Sequence, residues 1–273
     1  MQQKLQRMPG FSICLRTIDL CPQFLQSCQP SVSRVSPPFA GLCANSNIST
    51  RQRMKTTPNT KPRVTQCQKP VGWLGRLVLR NMNARHSGVT DWGLSQIPVR
   101  KHFAILDIGC GGGRTVSKLA AAATEGKVYG VDHSTASVTV ATRTNRESIK
   151  SGRVEIREGS VSQLPFATGT FDLVVAVETH FWWPNLPEDL GEILRVLKPG
   201  GELAIIAEVY KGANTKTARL VEKYLPMTGM KLLSPEEHRN LLTNAGYSSV
   251  QITTESGKGW IFASGKKNEV LGT

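Results

Sequence analysis

An acidic residue followed by alternating glycines has the residue types and spacing best suited to ligand chemistry in this sequence. It is the run DIGCGGGR at residues 107–114, which follows an apolar segment at 104–106 and precedes periodic apolar residues at Val116 and Leu119. This order is typical of a buried strand, a tight turn and the N-terminus of a helix. Glycines at that junction let the backbone approach a ligand closely, because no Cβ intervenes. The run therefore predicts a ligand site at the end of a strand.

Two residues of this run distinguish between the ligands that such a turn binds. In a dinucleotide-binding turn, GxGxxG, the third glycine lets the helix pack on the strand, but the corresponding position counted from Gly109 is Arg114. Asp107 would repel a pyrophosphate, whereas it suits a cationic ligand such as S-adenosylmethionine, which carries an ammonium and a sulfonium group. Asp132 follows 25 residues later, at the end of the next predicted strand, where a carboxylate can accept hydrogen bonds from both ribose hydroxyls.

Strands and helices alternate along the rest of the chain. Further strands are predicted at 127–131, 154–156, 171–177 and 202–207, and a β-hairpin at 250–254 and 260–264. Helices are predicted between the strands, and this alternation indicates an α/β fold with a doubly wound parallel sheet. Ligands of such sheets bind outside the carboxyl ends of the strands. We therefore expect the polar loops that follow the strands to converge on one crevice.

Five motifs, in order and at normal spacing, resemble those of the class I S-adenosylmethionine-dependent methyltransferases, in the branch of ubiquinone/menaquinone C-methyltransferases and other small-molecule methylating enzymes. They are ILDIGCGGG at 105–113, VD at 131–132, LPF at 164–166, FD at 171–172 and VLKPGG at 196–201. The resemblance implies a Rossmann-like seven-stranded sheet, mostly parallel with an antiparallel last strand. It also implies transfer of a methyl group from S-adenosylmethionine to a small-molecule acceptor by in-line displacement. The alternatives are a non-catalytic S-adenosylmethionine-binding protein of the same fold and, disfavoured by Asp107 and Arg114, an NAD(P)-dependent oxidoreductase.

Nine residues are candidates for contacts with this cofactor: Asp107, Gly109, Cys110, Gly111, Asp132, His133, Ser160, Val161 and Glu178. The resemblance implies that the first acid and its glycines hold the amino-acid end and that Asp132 holds the ribose. It implies that His133 packs on the adenine and that Val161 contacts it through the backbone. Ser160 stands where the family usually has an Asp that accepts from the adenine amino group, which a hydroxyl can do more weakly. Glu178 is a candidate partner of the cofactor's ammonium.

The segment ETHFWWP at 178–184, directly after the fourth predicted strand, holds the candidate catalytic residue. His180 can serve as a general base, since an unperturbed imidazole has a pKa of about 6.5; the alternative is a structural, hydrogen-bonded histidine. The candidates for contacts with the acceptor are His86, Trp92, Phe181, Trp182 and Tyr210. The aromatic residues after His180 form either an aromatic wall for the acceptor or packing under the next helix. No metal site is predicted.

The chain divides into a basic extension at residues 1–68 and one methyltransferase domain at 69–267. The net charge is +14, and most of the excess lies in the extension, which is rich in Ser, Gln, Thr and Pro and is predicted to be disordered. It has the composition of a transit peptide, although a translation start at Met54 is the favoured interpretation. The predicted location is therefore cytoplasmic, with the mitochondrial or plastid matrix as the alternative if the extension is a genuine transit peptide.

Two segments of the domain are expected to select the acceptor. Residues 71–95 contain an amphipathic helix pattern at 71–82 and are expected to form either a lid over the site or a cap on the sheet edge. Residues 209–233 form a variable substrate segment with a short helix around 217–224. We expect a small-molecule acceptor, no nucleic-acid partner and no membrane span; the acceptor and the oligomeric state are left open.

Overall fold

The computed structural model describes residues 86–269. The basic extension at 1–68 and the helix predicted at 71–82 lie outside these described residues. Their predictions therefore stay predictions, as does the role of the chain between residues 71 and 85.

The described residues form seven strands, seven α-helices and one turn of 3₁₀-helix at His180–Trp182. The strands are β1 (Ala104–Ile108), β2 (Lys127–Asp132), β3 (Val154–Glu158), β4 (Phe171–Val177), β5 (Leu197–Ala207), β6 (Ser248–Glu255) and β7 (Trp260–Lys266). The helices are α1 (Ser87–Leu94), α2 (Arg114–Ala122), α3 (Thr135–Thr144), α4 (Arg146–Lys150), α5 (Leu186–Val196), α6 (Lys216–Thr228) and α7 (Pro235–Asn244). Strands thus alternate with helices from β1 to β5.

All seven strands join one sheet in the order β3-β2-β1-β4-β5-β7-β6. The first five strands pair in parallel, whereas β7 runs antiparallel to both β5 and β6. The predicted seven-stranded, mostly parallel sheet with an antiparallel last strand is therefore confirmed. Chain order reverses between β1 and β4, and open α/β sheets bind ligands at such a switch point.

The core consists of two layers, one on each face of the sheet. In β4, Val174 packs toward α5 and α7, while Val175 packs toward α1, α2 and α3; both side chains are fully buried. A strand covered by helices on both faces needs apolar residues at successive positions, which is why β4 reads as a continuous apolar run. A third, smaller apolar cluster lies beyond β5 and beneath α6.

Helix caps fix several element boundaries where the sequence signals them. Ser234 accepts from the Glu237 amide at 3.1 Å and Glu237 accepts from the Ser234 amide at 2.7 Å, forming a capping box at the start of α7. Ser134 likewise caps α3, which ends before Asn145, and α4 begins directly after that residue. None of the helices among residues 86–269 is long and apolar enough to cross a membrane.

Candidate active site

A cavity of about 330 Å³ opens at the carboxyl ends of the parallel strands. Residues that follow β1, β2, β3 and β4 line it, together with the start of α1. All nine predicted cofactor residues line it: Asp107, Gly109, Cys110, Gly111, Asp132, His133, Ser160, Val161 and Glu178. The expected convergence of the loops on one crevice is confirmed, and its size is within the range of small-molecule sites.

The glycine loop is shaped by close packing around two of its glycines. Gly109 has φ +71°, and a Cβ there would collide with the side chain of Thr179, whose hydroxyl donates to the Ile108 carbonyl at 3.2 Å. Gly113 has φ +78°, and its Cβ would lie 2.7 Å from the backbone of α3 at Ala141. These glycines therefore let the loop fit between its own neighbours, while the positive φ at Gly111 turns that amide toward the cavity wall.

Asp107 places an unsatisfied buried carboxylate in the cavity. The residue is 1% exposed, and its Oδ2 atom has no hydrogen-bond partner among the described residues. Burial, with a smaller contribution from the charge of Asp132, raises the pKa of the Asp107 carboxyl to about 8. A buried carboxylate is costly without a partner, so a cationic group bound beside Oδ2 would relieve this cost. The site thus fits the ammonium of S-adenosylmethionine.

Asp132 is held at the end of β2 by backbone amides. Its Oδ2 accepts from the Gly111 amide and its Oδ1 from the Ser134 amide, both at 2.9 Å. Each carboxylate oxygen has a further lone pair available, so the group can still accept hydroxyl donors from the cavity side. This arrangement fits the predicted ribose contact, because the carboxylate is already oriented before a ligand binds.

The predicted adenine residues lie where the loops after β2 and β3 meet. His133 and Ser160 are exposed, and Val161 is buried; all three line the cavity. The Ser160 hydroxyl accepts from the Ser162 amide at 3.2 Å, and its oxygen has a second lone pair that suits the predicted contact with the adenine amino group. Their contacts with adenine stay a prediction.

Side chains of α5 hold the loop that carries Ser160. The Ser162 hydroxyl donates to Oδ1 of Asp189 at 2.6 Å, and Asp189 is fully buried. The Leu164 amide donates to Glu192 at 2.7 Å, and Arg195 donates to the Leu164 carbonyl at 3.2 Å. The loop therefore has a fixed position although it contains no regular strand or helix.

A second group of polar side chains lies at the β4 and β5 side of the cavity. Glu178 has φ +60° and accepts from the Glu208 amide, and burial together with the charge of Glu208 holds the pKa of the Glu178 carboxyl well above its usual range. His86, at the start of α1, brings a ring nitrogen within 4.8 Å of ligand atoms of both glutamates. Sequence reasoning missed Glu208, although it directly follows a strand as the other site residues do.

His180 lies outside the cavity, which corrects its assignment as a general base. The residue is fully buried, and its Nε2 atom is 3.1 Å from Nε2 of His238. His238 Nδ1 lies 2.8 Å from the Ser234 carbonyl, which requires a hydrogen on Nδ1 and leaves Nε2 to accept from His180. Burial holds the pKa of His180 well below its usual range. The alternative interpretation, a structural histidine, matches this environment.

The candidate acceptor residues are divided between the cavity and the core. His86 and Trp182 line the cavity, as does Trp183 of the predicted aromatic wall. Thr90, which the sequence did not single out, lines it too. Trp92 instead packs against Trp260 with ring centroids 5.8 Å apart, and Phe181 and Tyr210 belong to the apolar cluster beneath α6. Helix α1 thus has features of both the cap and the lid that were expected for residues 71–95. One of its faces packs on the sheet, and its first turn lies at the cavity.

Arg114 connects this helix to the glycine loop. Its guanidinium donates to the Ser87 hydroxyl at 2.9 Å, so the side chain extends over the cavity. A long side chain here is incompatible with the close helix–strand contact that the third glycine of a dinucleotide-binding turn provides.

The fold places the carboxyl groups of Asp107 and Asp132 beside one cavity at the carboxyl ends of β1 and β2, an arrangement that suits a cationic, ribose-containing ligand. Residues 106–205 match the family model described as a methyltransferase domain. The O-methyltransferase cnsE of Penicillium expansum is 28% identical over 149 residues, covering 55% of this chain and 53% of that enzyme. The chloroplastic 2-methyl-6-phytyl-1,4-hydroquinone methyltransferase of Arabidopsis thaliana is 26% identical over 251 residues, covering 89% of this chain and 69% of that enzyme.

The crystal structure of a SAM-dependent methyltransferase from Aquifex aeolicus has the same fold. It superposes with a TM-score of 0.57 at 18% sequence identity, covering 70% of this chain and 98% of that one. Residues 106–205 are therefore similar to methyltransferase domains in sequence, and the seven-stranded sheet is similar to such a domain in fold, in agreement with the resemblance of the motifs. The chain spans about half the length of the fungal enzyme.

Proposed function

We propose that this protein transfers a methyl group from S-adenosylmethionine to a small-molecule acceptor. The observation that carries the proposal is the buried Asp107 carboxyl group in the cavity that Asp132 also lines. Its Oδ2 atom has no hydrogen-bond partner within residues 86–269. One carboxylate suits an ammonium and the other suits two ribose hydroxyls, which is a combination that a nicotinamide dinucleotide does not require. The methyltransferase relatives support the same cofactor.

The order of the strands gives the orientation that we propose for the cofactor. Ser160 lies after β3, Asp132 is the last residue of β2 and Asp107 is the last but one of β1, and these strands are adjacent in the sheet. An adenosine group would then lie toward β3, with the amino-acid end near β1. The acceptor would occupy the remaining part of the cavity, beside β4 and the first turn of α1.

The bound cofactor supplies an activated methyl group, so the protein's task is to align the acceptor and exclude water. Trp182 and Trp183 form one wall of the acceptor side, and His86 and Thr90 form another. Because His180 is buried and faces His238, we assign it a structural role. His86 and Glu178 are the titratable side chains that line this acceptor side of the cavity.

Cofactor binding is tested by calorimetry with S-adenosylhomocysteine on the full chain. Replacing Asp107 or Asp132 by Ala removes a charged hydrogen-bond acceptor, which is worth about 1.5–3 kcal/mol and so weakens binding roughly 10- to 150-fold. Asp91→Asn is the matched control, since Asp91 is exposed and pairs with Lys118. Binding of NAD in place of S-adenosylhomocysteine would refute the cofactor assignment.

Turnover is tested by incubating the protein with S-adenosylmethionine and panels of quinols, phenols, amines and thiols. We expect one panel to give a product heavier by one methylene unit, detected by mass spectrometry with release of S-adenosylhomocysteine. Cofactor binding without a methylated product from any panel would favour the non-catalytic alternative.

The extension at residues 1–68 decides between the two proposed cellular locations. A cytoplasmic location follows from a start at Met54, whereas the similarity to a chloroplastic enzyme supports the organelle alternative. Fusing residues 1–68 to a fluorescent protein distinguishes them, because organelle import of the fusion would exclude the cytoplasmic assignment.

A further inference from the structure

Three side chains with metal-ligand chemistry lie together at the acceptor side of the cavity. They are His86, Glu178 and Glu208, and one ligand atom from each lies within 4.8 Å of the other two. His86 and Glu178 also line the cavity, so the group is accessible to a bound molecule. One imidazole and two carboxylates are a mixed set of ligands, unlike an ordinary acidic surface patch.

Helix α1 holds His86 in place over the sheet. The His86 carbonyl accepts from the Thr90 amide at 2.9 Å and from the Thr90 hydroxyl at 2.6 Å, which closes the first turn. At the other end of α1, Gly93 lies so close to β5 that a Cβ would be 2.6 Å from the Ile206 side chain. Because Glu208 follows Ile206 by two residues, this packing brings the start of α1 and the end of β5 to the same part of the site.

The two glutamates follow adjacent parallel strands. The Glu178 amide donates to the Ile206 carbonyl at 2.9 Å, and the Glu208 amide donates to Oε1 of Glu178. The second oxygen of Glu178 remains available as a ligand. Two partly buried carboxylates repel each other, and a cation between them would convert this repulsion into two attractive contacts.

We propose that His86, Glu178 and Glu208 form a binding site for a divalent first-row metal ion. Imidazole together with carboxylates suits Mn²⁺ or Zn²⁺, whereas Mg²⁺ and Ca²⁺ take oxygen ligands. Three protein ligands leave coordination positions open, and these face the cavity because two of the ligands line it. The sequence alone predicted no metal site here.

The metal site specifies a chemical class for the acceptor. An open coordination position binds oxygen donors, so the acceptor would carry a hydroxyl or carboxylate group that ligates the ion beside the transferred methyl group. This specification rests on the proposed methyltransferase function. The metal site itself does not, because it can be measured without cofactor or acceptor.

Mn²⁺ binding to the full-length chain, followed by electron paramagnetic resonance, tests the proposal. Mn²⁺ is the appropriate probe because residues 1–68 contain five cysteines, which as thiolates favour Zn²⁺. We expect one saturable site per chain, with the affinity lowered at least tenfold in Glu208→Gln and in His86→Ala, since even outer-sphere partners of a ligand contribute that much. Glu188→Gln and His102→Ala are the matched controls, because both residues are exposed and lie outside the cluster.

Two results would overturn the metal site. One is the absence of saturable Mn²⁺ binding to the wild-type chain, which would mean that the glutamates share a proton and not a metal ion. The other is equal Mn²⁺ affinity in Glu208→Gln and Glu188→Gln. S-adenosylhomocysteine binding is measured on the same samples, so that loss of the metal site with intact cofactor binding is distinguished from failure of the methyltransferase proposal.

Discussion

Cofactor binding is expected to release a proton from Asp107. In the free protein, burial raises the pKa of this carboxyl to about 8, so that roughly nine tenths of it is protonated at pH 7. An ammonium group beside Oδ2 favours the carboxylate, and the proton must leave when the ligand binds. Because protonation competes with the ligand, affinity rises with pH; it should increase roughly ninefold between pH 6 and pH 7, or about 1.3 kcal/mol.

Calorimetry with S-adenosylhomocysteine in two buffers of different ionisation enthalpy measures this proton directly. We expect release of roughly 0.9 proton at pH 7 and nearly one at pH 6. Asp107→Asn is the matched variant, because it keeps the shape of the side chain but carries no proton that can be released. The same proton release and pH dependence in Asp107→Asn would refute the assignment of the ammonium to Asp107.

Three further predictions concern the framework of the site. Gly113→Ala should destabilise the protein by about 1–3 kcal/mol in urea unfolding, because its Cβ would lie 2.7 Å from α3. Gly152→Ala should lose less stability, because Gly152 shares the positive φ but its Cβ would meet no other part of the described chain within 4 Å. Burial lowers the pKa of His238, so the unfolded state binds the proton more tightly. The free energy of unfolding should therefore fall by up to about 1.2 kcal/mol between pH 7 and pH 5.5. The same dependence of that free energy on pH in His238→Gln would contradict this. Asp189→Asn and Ser162→Ala should each weaken S-adenosylhomocysteine binding several-fold in calorimetry without changing the helical circular dichroism. Unaltered affinity would show that the hydrogen bond between Ser162 and Asp189 does not position the loop after β3.

Local sequence order predicted which loops line the cavity on its cofactor side. Asp107 and Asp132 each end an apolar strand, and the rule that ligands bind at the carboxyl ends of parallel strands needed no further information. Glu208 fits the same rule and could have been found by applying it to β5. Glu208 lies beside Glu178 because β4 and β5 are neighbours in the sheet. Chain order suggests that these two strands are neighbours but does not establish it.

His180 shows why the remaining assignments were harder. His180 lies in the loop after β4, where functional residues of such sheets commonly lie. Its surroundings depend on His238, which is 58 residues further along the chain. A single sequence does not place α7 against this turn, so burial of the imidazole was not predictable from local spacing. Trp92 is similar, since its partner Trp260 lies in β7.

The way in which Arg195 holds the loop after β3 has a consequence for engineering. The guanidinium contacts main-chain carbonyls, at Leu164 and at Phe166, at 3.2 and 2.9 Å, so the loop's anchorage does not depend on the identity of most of its side chains. Ser160 can therefore be exchanged for Asp or Asn while the loop keeps its course. With the predicted contact between Ser160 and adenine, we expect selectivity among purine analogues of the cofactor to be adjustable at this one surface position, without any redesign of the helix that supports it.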